Sequence, residues 1–269
     1  MESQREKFIG VLDSGLGGLT VVRELERILP HESIVYFGDN ANCPYGNRQK
    51  EEILNLSHAM LDFLQNRGVK IAAIACNTIS TLVAGFRTRY GFPVVSIIEE
   101  ACNYIARENL EQIAVFATEF TIKQGFYNTL LGQLSPETRV YGIPSRALAA
   151  LVDEGDFYST AIYEEVRSLL KLLRQNHPEV KHAVLGCTHY PIVQDIFEKE
   201  APDISFINPA AVQADAVKAL LTEGGLLNDT QTPLLDINTT GKKQPYEAAV
   251  KKLAISRPFA ISTINSGVS

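Results

Sequence analysis

Two short apolar runs that each stop at a thiol constrain this chain more than any other feature. "IAAIACNT" at 71–78 ends its apolar stretch at Cys76, and "AVLGCTHYP" at 183–191 ends its own at Cys187. A single cysteine in such a place is by default core filler, because a free thiol behaves as a small hydrophobe and is among the most buried side chains. Two of them, 111 positions apart, with the hydroxyl residues Thr78 and Thr188 close behind, call for a different explanation. Two further apolar runs, "FIGVLDSG" at 8–15 and "IAVFATEFT" at 113–121, repeat at a similar offset. The chain reads as one unit written twice, each copy carrying its own thiol.

The intervening segments set the fold class. Strand-like stretches rich in β-branched residues occur at 8–12, 34–37, 71–75, 94–98, 113–117, 139–142, 183–185 and 204–207. Helix-period segments separate them. Val21, Val22, Leu25, Ile28 and Leu29 share one face of 17–30. Ile53, Leu56, Met60 and Leu64 do so in 49–68, where Gly68 ends the helix, and Ile162, Val166, Leu169, Leu170 and Leu173 do so in 158–174. This serial order predicts an α/β fold of two pseudo-symmetric doubly wound domains, with mainly parallel sheets and a cleft between them. No low-complexity linker marks a boundary, so the repeat sets it: 1–97 plus 209–269 form the first domain and 98–208 the second.

Composition narrows the function class. At 269 residues and 45% hydrophobic content the chain can bury one large or two medium cores. A net charge of −6 opposes a nucleic-acid footprint, which requires a basic face, and leaves a small molecule as the expected partner. The polar opening "MESQREKFIG" has no secretory apolar core, and no stretch approaches the roughly 18 apolar residues of a membrane span. A cytoplasmic location is therefore expected, with Cys43, Cys76, Cys102 and Cys187 reduced. Their spacing matches no paired zinc pattern and no Schiff-base lysine is marked, so neither a metal nor an organic cofactor is expected.

In open α/β sheets ligands collect beyond the C-terminal ends of the strands. Asp13, Cys76, Thr118 and Cys187 all sit at such ends. Facing copies would place one thiol on each wall of one cleft. That arrangement suits inversion at an amino-acid α-carbon, where one group removes a proton from one face while another returns it on the opposite face. A thiol serves either role, because its ordinary pKa near 8.5 is readily tuned. Asp13 is the candidate partner for Cys76, and His189 for Cys187.

"VLDSGLGG", "GDNANCPYG", "ACNT", "LVDEG", "GCTHYP" and "NTTG" follow one another in the order of the glutamate racemases, and the chain resembles that family from about residue 8 to 253. The resemblance implies cofactor-independent production of D-glutamate for peptidoglycan. It implies Cys76 and Cys187 as the proton-transfer pair, with Asp13 assisting the first and His189 the second. Asp13, Ser14, Tyr45, Gly46, Asn77, Thr78, Thr118, Thr121, Thr188 and His189 are implied to hold the substrate, and related enzymes are often homodimers. Aspartate racemases usually carry a glutamate where this chain has His189, which favours the glutamate branch.

The chain also departs from the family pattern. Asp153 stands where a catalytic glutamate is usual, one methylene shorter, so support for Cys187 either weakens or passes to Glu154, and Asp153→Glu is expected to raise activity if the shorter side chain is limiting. Asn42 replaces a basic residue, Glu100 a proline, and "TIKQG" brings Lys123 and Gln124. Cys43 and Cys102 are read as structural or incidental, and His31, His58, His177 and His182 as solvated. Two other classes compete with a racemase of glutamate or another acidic amino acid such as aspartate. One is a hydrolase or ligase using Cys187 and His189 alone; the other is a non-catalytic amino-acid-binding or regulatory protein.

Overall fold

A computed structural model describes residues 7–264; the polar stretch 1–6, on which the leader argument leaned, lies outside the described residues, as does 265–269. The first half runs β1 (Ile9–Asp13), α1 (Leu19–Ile28), β2 (Ile34–Gly38), α2 (Lys50–Asn66), β3 (Ile71–Ile74), α3 (Asn77–Ser80), β4 (Val94–Ser96), α4 (Ile97–Arg107), β5 (Gln112–Thr118), α5 (Glu119–Gln124) and α6 (Phe126–Leu134). It continues as β6 (Arg139–Ser145), α7 (Leu148–Asp153), α8 (Thr160–Asn176), β7 (His182–Leu185), α9 (Gln194–Glu200), β8 (Ser205–Ile207), α10 (Pro209–Glu223), β9 (Leu235–Thr239), α11 (Gln244–Lys252) and β10 (Phe259–Thr263).

The strands form two sheets, ordered β10-β9-β2-β1-β3-β4 and β6-β5-β7-β8, and every pairing is parallel. Parallel neighbours need crossovers, and the amphipathic helices supply them. Residues of the first sheet alternate between two cores. Ile9, Val11, Ile34, Tyr36, Ile71 and Ala73 join the core that also holds the second sheet and α1. Leu12, Val35, Phe37, Ala72 and Ile74 pack with Ile53, Leu56, Met60 and Leu64 of α2. Each such large side chain, fully withdrawn from water, contributes roughly 1.5–3 kcal/mol. Gly68, at φ +67°, ends α2 in the left-handed region that a side chain would resist.

All eight expected strands form; 71–75 and 204–207 each lose one residue, and 94–98 loses two, stopping at Ser96 where Ile97 opens α4. β9 and β10 had no counterpart in the sequence reading. β9 carries polar Asp236, Asn238 and Thr239 in its five residues, and β10 is a largely exposed edge, so neither shows the apolar run of a buried strand. Among the described residues no helix is long and apolar enough to cross a membrane.

The topology dictates where a ligand can sit. The chain leaves β1 to one side for β2 and returns to the other for β3, and it does the same around β5 with β6 and β7. These are the two switch points, where loops diverge and leave a crevice at the strand ends. Asp13 and Cys76 lie at the first, and Thr118 and Cys187 at the second.

Candidate active site

At the end of β1 the chain turns through Ser14–Gly18 into α1, and Asp13 anchors the turn: its Oδ2 accepts from the backbone N–H groups of Gly15 (3.3 Å) and Gly18 (3.0 Å). The glycines let this turn press against the other sheet. A Cβ on Gly17 would lie 2.5 Å from Thr188 Oγ1, and one on Gly15 would lie 2.9 Å from His189 Nε2 and from both carboxylate oxygens of Asp153. The motif therefore docks the two halves of the site. Thr188 completes the contact by donating to Asp13 Oδ1 at 3.1 Å. Asp13 is wholly buried; burial raises its carboxyl to about 6, against the opposing pull of His189.

Cys76 caps the entry to α3, and its thiol donates to Ser14 Oγ at 3.5 Å. Burial, followed by the charge of Asp13, pushes this thiol up to about 12. Beside it, Thr78, Thr118 and Thr121 bring three hydroxyls together, with Oγ1 separations of 3.3, 3.4 and 3.0 Å. Thr118 also caps α5 by accepting from the Thr121 N–H. Tyr127 donates to Asn77 Oδ1 at 2.9 Å, while Asn77 Nδ2 is buried without a hydrogen-bond partner among the described residues.

Cys187 follows β7, with its Sγ 3.7 Å from Nδ1 of His189. The other ring nitrogen, Nε2, lies 2.9 Å from Asp153 Oδ1. Burial alone would lower the His189 pKa, but the Asp153 carboxylate outweighs it and holds the imidazole well above its ordinary value. Conversely, burial would raise Asp153, and His189 together with the Leu16 N–H keeps its carboxyl low. The pair is an imidazolium and a carboxylate. Asn40 Nδ2 donates to Asp153 Oδ2 at 3.1 Å, and Tyr246 donates to Asn40, so a polar chain runs from α11 to the thiol. Glu154 is exposed and takes no part.

A narrow cavity of about 10 Å³, room for roughly one water, joins the two walls. Its lining includes the expected site residues Ser14, Tyr45, Gly46, Cys76, Asn77, Thr78, Thr118, Cys187, Thr188 and His189, together with Cys43, Pro44, Ala149 and Gly186, which were not expected. Asp13, Thr121 and Asp153 do not line it but bond to residues that do. The phenol of Tyr45 is committed to Asp39, at 2.6 Å, and Asp39 also accepts from Asn42 and Thr240. Asn42 and, from "NTTG", Thr240 thus brace this loop through Asp39.

Two expectations need correction. Cys43 is not incidental: it lines the cavity beside Pro44, and its Sγ, an Asp153 oxygen and a His189 ring nitrogen lie within 4.8 Å of one another. His58, His177 and His182 are half-buried rather than solvated: His58 faces Tyr90 at 3.1 Å and packs edge-on to Phe86, His177 stacks on Tyr141, and His182 opens β7. Cys102 does lie in the core, fully buried. Asp39, Asn40, Tyr127 and Tyr246 were missed. For the first two the signal was available, since both directly follow the end of β2.

Residues 9–217 match the family described as Asp/Glu/Hydantoin racemase. A glutamate racemase of Listeria monocytogenes is 36% identical over 254 residues, covering 91% of this chain and 93% of that one. Among solved structures, a glutamate racemase of Bacillus anthracis superposes with a TM-score of 0.89 at 31% identity, over 98% of this chain and 100% of the other. The Francisella tularensis glutamate racemase in complex with D-glutamate gives 0.88 at 29% identity, over 98% and 100%. The family match and these identities over most of the chain show that it belongs to the Asp/Glu/Hydantoin racemase family.

Proposed function

We propose that the chain interconverts L- and D-glutamate by a two-base proton transfer between Cys76 and Cys187. One observation carries this reading: a single cavity is lined by one thiol from the end of each sheet, and each thiol has its own acid–base neighbour. In the L to D direction Cys187, beside His189, acts as the base that removes the α-proton, and the Cys76 thiol delivers a proton to the opposite face. The reverse direction exchanges the roles. As the α-proton leaves, negative charge grows on the α-carboxylate, where pre-placed donors act most strongly. The Thr78, Thr118 and Ser14 hydroxyls and the unpartnered Asn77 Nδ2 supply them, with Thr121 holding Thr78 and Thr118 in place and Thr188 held on Asp13. Tyr45 and Gly46 shape the wall. All the acids and bases are side chains, so no step calls for a cofactor.

The likeness to bacterial glutamate racemases supports a role in supplying D-glutamate for peptidoglycan, a cytoplasmic location and a homodimer. Sheet membership supports the division into 1–97 plus 209–269 and 98–208. A second reading has one observation in its favour: the Cys187–His189–Asp153 array is also that of a nucleophilic cysteine. Circular dichroism separates substrate and class together. Either glutamate enantiomer should decay to the same zero signal, with aspartate far slower; persistent rotation of both glutamates would refute the reading.

A further inference from the structure

Cys43, Asp153 and His189 come from the loop after β2, the end of α7 and the loop after β7. Far apart in sequence, they meet on one side of the His189 ring. Their ligand atoms lie within 4.8 Å of one another, and the Nε2–Oδ1 separation is 2.9 Å. Tetrahedral zinc with bonds of about 2.0–2.3 Å sets its N, O and S donors roughly 3.3–3.6 Å apart. The Nε2–Oδ1 pair would open by a few tenths of an ångström, and the widest separation would close by at most about 1.3 Å. The donors are also held from behind, as ligands of a built site are: Asp153 Oδ2 accepts from Asn40 at 3.1 Å, and the remaining nitrogen of His189 faces Cys187 Sγ at 3.7 Å.

We propose that Cys43 Sγ, the Asp153 carboxylate and His189 Nε2 form an inhibitory site for a borderline-soft divalent cation, of which Zn²⁺ is the type. One sulfur, one imidazole and one carboxylate select this class over Mg²⁺ or Ca²⁺, which take oxygen donors. Binding exchanges the cation for two protons released to solvent, one from the Cys43 thiol and one from the His189 imidazolium. Cys43 and His189 both line the cavity, so an ion held between them would lie at its wall. An ion there replaces the Nε2–Asp153 contact that orients the His189 ring against Cys187 Sγ, and stands at the wall of the cavity where substrate must bind. The inhibitory half of this inference rests on the proposed racemase reading; the binding half does not.

The test titrates the full chain with Co²⁺, reading the thiolate-to-cobalt charge-transfer absorption, while racemase rates are followed against Zn²⁺. Wild type should show a one-equivalent band that Zn²⁺ displaces and Mg²⁺ does not, and inhibition that EDTA reverses. In Cys43→Ala and Cys43→Ser the band should vanish, and half-inhibition should need at least about tenfold more Zn²⁺. A band and inhibition unchanged in Cys43→Ala would overturn the site, placing the metal on Cys76 or Cys187, and so would the absence of any band in wild type. A Cys43-dependent band in a protein that does not racemise glutamate would uphold the site and sink the functional reading. Racemisation indifferent to Zn²⁺, with no band, would do the reverse.

Discussion

The two walls of the cavity occupy the same place in two related topologies, yet they manage their thiols differently. Cys76, after β3, is served by neutral and acidic neighbours: it donates to Ser14, and the Asp13 carboxyl beside it, raised to about 6, adds to the burial that lifts the thiol to about 12. Cys187, after β7, faces an imidazolium fixed by Asp153, Asn40 and Tyr246. One wall disfavours the thiolate until a proton can be passed on. The other offers it a cation. Equivalent strand ends thus supply geometry, and the loops that meet there supply the acid–base chemistry.

The harshest way to break the comparison is to remove a thiol. Cys76→Ala and Cys187→Ala should each lose racemisation in both directions, by more than roughly 10⁴-fold, since every turnover needs one base and one acid. Rates with L- and D-glutamate decide it. Normal turnover by Cys76→Ala would leave the single-nucleophile reading of Cys187 standing.

Changing the partners instead should expose the asymmetry. His189→Asn should depress kcat more from L-glutamate and Asp13→Asn more from D-glutamate, each within about 10²- to 10⁴-fold. The pH profile sharpens this. Asp13 accepts a proton only above about 6, so the D-glutamate direction should show an acid limb there that Asp13→Asn lacks. The stability sign is the opposite. A folded-state value of about 6, above the reference of about 3.9, means that the folded protein binds the proton more tightly. The associated stability is whole below about pH 4 and declines as pH rises to 6, so Asp13→Asn should unfold no more readily than wild type at pH 8. Equal losses in both directions would show that the walls are not separately served.

The smallest effect belongs to Asp153→Glu. The family pattern alone suggests that a longer side chain would help, but packing argues otherwise: Asp153 already reaches His189, Asn40 and the Leu16 N–H, and Gly15 crowds it. An added methylene in a filled space costs about 1–3 kcal/mol. We expect kcat from L-glutamate to fall roughly tenfold. A rise would mean that the turn at 14–18 yields.

Local chemistry made much of this legible in the sequence. Hydrophobic period and β-branched runs are properties of neighbouring residues, so the eight strands, the helices α1, α2 and α8 and the strand-end positions of Asp13, Cys76, Thr118 and Cys187 could be read directly. β9 and β10 could not, because a polar strand becomes a strand only when β2 offers it an edge. Nor could the meetings across the crevice be read. Asp13 reaches Thr188, Asn40 reaches Asp153, and Cys43 joins Asp153 and His189. Each pairing spans more than a hundred residues, with no periodicity linking its members. The crossovers that bring two switch points face to face decided them, and only then did burial and short polar contacts set which groups carry protons.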